Sequence, residues 1–176
     1  MMPVSPALMK ILLLAPLSIP IIYFDVRYRR IPNLLVLAAL VAGLTINISY
    51  AGLDGALSSL AGAAVAFLPM FLIHIVGAMG AGDVKLFAAV GAVLGIKLIP
   101  ATFVLVVMIG GVLAVYTMLR SGTVFTTLHG VARIFVGVLP GWEMPRFAIS
   151  PDRRHTIPYG VAIMFGSLVT AFLFRT

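Results

Sequence analysis

The chain has 176 residues, of which 62% are hydrophobic and 10% are charged, and its mean hydropathy is +1.18. A soluble domain of this length could not bury so much apolar surface, so the composition excludes an ordinary soluble protein and indicates an integral membrane protein. The formal net charge is +7. In a chain this apolar we interpret the basic loops as topology signals held against anionic lipid headgroups, and we expect no nucleic-acid partner.

The composition also argues against metal and thiol chemistry. The chain has no cysteine, which excludes a disulfide framework, a thiolate metal site and a cysteine nucleophile. Its histidines, His74, His129 and His155, lie far apart and show no metal-ligand spacing. We therefore expect neither a cofactor nor a metal.

Apolar stretches separated by polar turns predict six transmembrane helices, at residues 7–24, 34–50, 57–77, 84–95, 101–119 and 158–174. A cleaved signal peptide is a rival interpretation of the first stretch, but no small-residue cleavage site follows it, so we expect a retained span. The fourth stretch is only about 18 Å long if helical, so it is either a truncated crossing or a re-entrant element. No internal repeat is visible, and the prediction is one all-α, polytopic six-helix bundle over residues 1–176.

The distribution of charge favours the crossing. With six crossings, Lys10, Lys97 and Arg175 lie on one side of the membrane and all other basic residues on the other, which the positive-inside rule identifies as cytoplasmic. Both termini are then expected outside, with a cytoplasmic loop at about residues 120–157. Apolar residues at helical spacing in this loop indicate either an interfacial helix ending near Trp142 or a helix packed on the bundle.

Two carboxylates are expected to meet at the cytoplasmic face. Asp25 follows the first span, and Asp83 begins the short fourth one after Gly80 and Gly82. A charged group at membrane depth costs about 2.5 to 3.5 kcal/mol, so Asp83 is a functional candidate. Two close carboxylates cannot both ionise, which lets one act as general base toward a water and the other as general acid toward a carbonyl oxygen. The glycines are expected to adopt backbone conformations barred to other residues and to let a substrate strand approach.

Other interpretations of these acids stay open. Asp25 alone could be a juxtamembrane charge near Arg27 and Arg29, and Asp83 alone could be a helix N-cap. The chain would then be a structural subunit of a pilus or secretion assembly. A small proton-coupled transporter is a further alternative, although the placement of both acids at one face counts against it.

Three motifs in this order resemble those of a known family. Gly80-Ala81-Gly82-Asp83 matches the GxGD signature of membrane aspartic proteases. Residues 25–33 (DVRYRRIPN) resemble the segment that carries the first catalytic aspartate in type IV prepilin peptidases. Residues 157–163 (IPYGVAI) resemble the opening of the last helix in small Tad/Flp-type (CpaA/TadV-like) members.

The resemblance implies an aspartic endopeptidase that cleaves leader peptides of type IV prepilins or pseudopilins at the cytoplasmic face of the bacterial inner membrane. Asp25 and Asp83 would be its catalytic residues. The supporting motif residues would be Gly80, Gly82, Lys85, Pro158 and Tyr159. Lys85 could be a counter-charge that holds an aspartate ionised. The expected partners are a prepilin substrate and membrane lipids, and the oligomeric state and the particular pilin stay open.

The chain departs from the larger prepilin peptidases, which carry an N-terminal cytoplasmic region with paired CxxC motifs and a methyltransferase activity. This sequence begins its first helix at about Ala7 and has no cysteine. We therefore expect no N-methylation of the new pilin terminus, and neither zinc nor S-adenosylmethionine is implied.

Overall fold

A computed structural model describes residues 5–75, 77, 79–122 and 158–174. Its helices are α1 (Pro6–Tyr28), α2 (Asn33–Ile75), α3 (Ala81–Leu94), α4 (Ile99–Ser121) and α5 (Tyr159–Leu173), with a 3-10 helix at Ile96–Leu98 before α4. Every regular element in the described ranges is helical, which confirms the all-α prediction. From residue 123 onward the predicted cytoplasmic loop lies outside the described residues. The interfacial helix predicted in it, His129, His155 and Arg175 lie outside them as well.

The helix α2 consists of two arms that reverse direction at Gly52. This residue has φ 55° and ψ −130°, a conformation that glycine adopts without the usual steric cost. Just beyond it, Gly55 lies directly against the backbone carbonyl of Asn47, where no side chain would fit. The arms, residues 33–51 and 53–75, correspond to the second and third apolar stretches of the sequence.

Both arms of α2 pack on α3 through glycines. A Cβ added at Gly43 would lie 2.6 Å from the Val93 side chain, and Gly62 lies against the backbone of Gly91. Such small residues let helix backbones approach closely in a lipid environment, where dispersion forces replace the hydrophobic effect as the reason for helices to associate. The helix α3 is thereby enclosed by the bundle.

Polar side chains stabilise the C-terminal end of α3. The carbonyl of Ala92 accepts hydrogen bonds from Asn47 Nδ2 at 2.8 Å and from Ser59 Oγ at 2.7 Å. Lys10 Nζ, near the start of α1, donates to the Leu94 carbonyl at 3.1 Å. The last four carbonyls of a helix have no N–H partner within the helix, so these three bonds satisfy groups that would otherwise be unpaired. The bond to Leu94 also places Lys10 at the end of the bundle where α3 terminates.

The outer surface of the described part is apolar. Three of its helices are long and apolar enough to cross a membrane: α1, α2 and the helical segment Ile96–Arg120, while α5 is a shorter apolar helix. Large apolar side chains are exposed on this surface, among them Leu34 at 76% and Ile19 at 72%. Exposure of this kind fits a membrane protein whose outer side chains contact lipid. By contrast, Phe87 and Val90 of α3 are fully buried.

Candidate active site

The last turn of α1 positions Asp25. The sequence predicted that the span ends at residue 24, but α1 continues to Tyr28, so Asp25 lies inside the helix and is only 6% exposed. The helix ends at Arg29, whose backbone N–H donates to the Asp25 carbonyl at 3.0 Å. Arg29 has φ 52° and ψ 37°, the left-handed conformation, which is uncommon for a residue with a side chain and marks a constrained position.

The start of α5 lies directly beside the Asp25 carboxylate. A Cβ added at Gly160 would lie 2.7 Å from Asp25 Oδ2 and 3.0 Å from Cγ, so only glycine permits this approach. The backbone N–H groups of Gly160 and Val161 face the carboxylate. Because a helix N-terminus carries unpaired N–H groups and a partial positive charge, this arrangement offsets part of the cost of burying a charge at Asp25.

Asp83 lies in the first turn of α3. The N-cap is Gly80, with φ −74° and ψ 145°, and the Asp83 backbone N–H donates to the Gly80 carbonyl at 3.2 Å. The N-cap position is thus occupied by Gly80 and not by Asp83, which lies in the first turn, where a carboxylate still interacts favourably with the helix dipole. The Asp83 side chain is partly buried and turns back over the start of the helix, where a Cβ added at Gly80 would lie 3.1 Å from Oδ2.

The structure corrects the role expected for the two glycines of this motif. Neither Gly80 nor Gly82 has a positive φ, so neither occupies a backbone conformation that other residues avoid. A Cβ on Gly82 would make an ordinary contact of 3.6 Å with Ile31. What the motif provides here is space beside the Asp83 carboxylate, at Gly80.

The structure brings the two aspartates to one cavity of about 340 Å³. Asp25 enters it from α1 and Asp83 from α3, and the two carboxylates interact electrostatically. Three cationic residues share the lining: Arg29, Arg30 and Lys85. A water molecule takes about 30 Å³ in the liquid, so the cavity has room for a short stretch of extended peptide with water beside it.

Two buried polar atoms near this cavity make no hydrogen bond within the part of the chain that the structure describes: Oδ2 of Asp25 and Nη1 of Arg29. An unsatisfied buried donor or acceptor costs about 1–3 kcal/mol. Arg29 lies one helical turn after Asp25 and interacts electrostatically with its carboxylate. Each atom is therefore available to a water or to a peptide group.

The other residues singled out from the sequence surround the same site. Tyr159 is the first residue of α5, is partly buried, and interacts electrostatically with Asp83. Its ring packs against α4, 3.4 Å from the position of a Cβ added at Gly110. Pro158 precedes it as the N-cap of α5. Lys85 is exposed at the rim of the cavity.

Sequence reasoning missed three contributors to this site. Gly160 lay inside a quoted motif without a stated role, and Arg29 was considered only as a charge. His74 was considered only as a metal ligand, yet its Nδ1 donates to the Met79 carbonyl at 2.8 Å and so fixes the backbone just before Gly80. In the described ranges, no three His, Asp or Glu side chains lie close enough together to form a metal-ion site.

Fold and site together define a class of protein: a helical membrane protein in which aspartates from two helices face one cavity at one end of the bundle. The chain belongs to the type IV leader peptidase family, whose family model matches residues 12–115. That range includes both aspartates and ends before Pro158 and Tyr159. The prepilin peptidase resemblance inferred from the three motifs is thus confirmed.

A curated relative is the prepilin leader peptidase/N-methyltransferase of Bacillus subtilis (strain 168). It is 31% identical over 155 residues, which cover 85% of this chain and 49% of the relative. The chain therefore spans about half the length of this relative. No solved structure matches the chain.

Proposed function

We propose that the protein is an aspartic endopeptidase that cleaves the leader peptides of type IV prepilins or pseudopilins. The observation that carries the proposal is the meeting of Asp25 and Asp83 in one cavity, although they lie on different helices and far apart in sequence. Family membership supports a leader-peptide substrate. Asp25 and Asp83 are the proposed catalytic residues.

The proposed mechanism divides two roles between these acids. Burial disfavours a charge on both acids, but Asp25 faces the N-terminus of α5 and interacts with Arg29, whereas the negative charge of Asp25 opposes ionisation of Asp83. We therefore assign Asp25 as the base. Asp83 keeps the proton that the pair holds, because two adjacent carboxylates do not both ionise. Asp25 takes a proton from a water, whose oxygen bonds to the scissile carbonyl carbon while Asp83 protonates the carbonyl oxygen. Collapse of this intermediate breaks the C–N bond as Asp25 protonates the leaving nitrogen and Asp83 takes back a proton from a hydroxyl of the intermediate, which restores the pair.

We further propose six crossings, made by α1, the two arms of α2, α3, α4 and α5. The helix α3 supports this count over a re-entrant element, because it runs from the aspartate cavity to the opposite end of the bundle, where Leu94 bonds Lys10. Arg29, Arg30 and Lys85 lie at the aspartate end. The positive-inside rule then assigns this end to the cytoplasmic side of the bacterial inner membrane, with both termini outside.

A cleavage assay with purified protein tests the function. A candidate prepilin is incubated with the purified protein in detergent or liposomes, and the processed product is identified by mass spectrometry. Asp25→Asn and Asp83→Asn keep the side-chain shape and remove acid–base chemistry, so each should lower cleavage by at least about 100-fold. Asp54→Asn is the matched control, because Asp54 is exposed on α2 away from the cavity. Normal processing by either active-site variant would reject the mechanism, whereas absence of cleavage by the parent protein itself would favour a structural subunit.

A further inference from the structure

An apolar groove on the outside of the bundle lies beside the aspartate cavity. It encloses about 550 Å³ and is lined by Leu34, Leu37 and Leu40 of the first α2 arm, Phe67 of the second arm and Ala88 of α3. The three leucines recur every third residue and so lie on one face of the arm. They extend over about 9 Å, or nearly two helical turns.

The groove and the aspartate cavity share two residues. Asn33 and Lys85 line both of them, so the two concavities adjoin at this point. The character of the lining changes here from apolar side chains to carboxylates, guanidinium groups and backbone. Exposed leucines alone would be expected anywhere on a lipid-facing surface. A concave apolar surface that adjoins a polar cavity fits an occupant with both an apolar and a polar segment.

We propose that this groove seats the apolar helical segment of the substrate that adjoins the cleaved bond, while the extended leader occupies the aspartate cavity. The inference rests on the proposed function and on the family resemblance, which implies that the cleaved bond lies just before the hydrophobic segment that becomes the pilin helix. A peptide must leave the helix to present its carbonyl to Asp25 and Asp83, whereas its apolar segment must stay out of water. The groove and the cavity supply these two environments side by side.

Asn33 and Lys85 suit the junction between the two segments of such a substrate. A helix end carries backbone N–H or C=O groups without intrahelical partners. The Asn33 amide both donates and accepts hydrogen bonds, and the Lys85 ammonium donates them. The Asn33 amide oxygen can therefore accept from the free N–H groups at the start of the substrate helix, and Lys85 can donate to carbonyls of the extended leader that precedes it.

Filling the groove tests the proposal. Leu37→Trp adds bulk to the groove, and Leu57→Trp is the matched control, since both leucines are 57% exposed and Leu57 lies outside the groove. Two substrates are compared: one with its apolar segment, and a short soluble peptide across the same bond without it. The kcat/KM ratio of the first to the second should fall about tenfold in Leu37→Trp and stay unchanged in Leu57→Trp. An unchanged ratio in Leu37→Trp would overturn the inference.

A lipid chain is the rival occupant, and crosslinking distinguishes it. A photoreactive residue replaces Leu37 in the Asp83→Asn background, which keeps the substrate uncleaved in liposomes. Adducts to the apolar segment of the substrate are expected, with none from the same residue at position 57. Adducts to lipid alone would reject the groove as a substrate site. The Asp83→Asn variant tests the proposed function separately from the groove. If it cleaves neither substrate, the proposed function stands, whatever the groove variants show.

Discussion

Replacement of Gly160 by alanine is the sharpest test of how the Asp25 carboxylate is held. The added Cβ would lie 2.7 Å from Oδ2, 3.0 Å from Cγ and 3.2 Å from Cβ of Asp25. Non-bonded atoms prefer separations of about 3.5–4.0 Å, so α5 and the carboxylate must move apart by roughly 1 Å. A misplacement of about 1 Å can lower a reaction rate about 100-fold. We therefore expect Gly160→Ala to lower kcat by one to two orders of magnitude.

The assay compares kcat, KM and the Tm of the purified variants. Gly111→Ala is the matched control, because a Cβ at this glycine of α4 would meet no atom within 4 Å. Crowding of a packed interior costs about 1–3 kcal/mol, so Gly160→Ala should lose some stability but remain folded at assay temperature. A folded Gly160→Ala variant with the kcat of the Gly111→Ala control would refute the reasoning that this contact positions Asp25.

Three further predictions follow from the same site. Arg29→Gly should keep the Tm, because glycine suits the left-handed conformation, but should lower cleavage. Arg29→Lys should retain part of the activity. Equal activity of the parent protein and both variants would exclude a role for the charge. The cleavage rate of Gly82→Ala should be within about twofold of the parent rate, and that of Gly80→Ala should be clearly lower, because only the Cβ at position 80 crowds the Asp83 carboxylate. The reverse order would contradict the structure. Since the chain has no cysteine, single cysteines introduced at Arg30 and Asp54 can be labelled with a membrane-impermeant reagent in intact cells. The cysteine at position 54 should react and the one at position 30 should not. The opposite pattern would invert the proposed topology.

Hydropathy alone located most of the helices, because an apolar run long enough to cross a bilayer is a strong signal. The reversal in α2 was also visible in the sequence, since a short turn that contains Gly52 separates two such runs. The meeting of Asp25 and Asp83 could be anticipated from the side of the membrane on which each span begins or ends. These features depend on order along the chain and on charge, which a single sequence contains.

The remaining features depend on contacts between helices that are distant in sequence. The approach of Gly160 to Asp25 requires α1 and α5 to be neighbours, which hydropathy does not reveal. The left-handed end of α1 at Arg29 carries no glycine signal. The reasoning on Gly82 was wrong because it treated a glycine in a motif as a sign of special backbone geometry, whereas this residue lies in an ordinary helical turn.

The central claim, that the two aspartates act as one unit, is tested most directly by a double-mutant cycle. Cleavage rates are measured for Asp25→Asn, Asp83→Asn and the combined variant under single-turnover conditions. Residues that share one chemical step have strongly non-additive effects, so the double variant should be no slower than the worse single variant. Losses that multiply in the double variant would show that the two carboxylates act separately and would contradict the account.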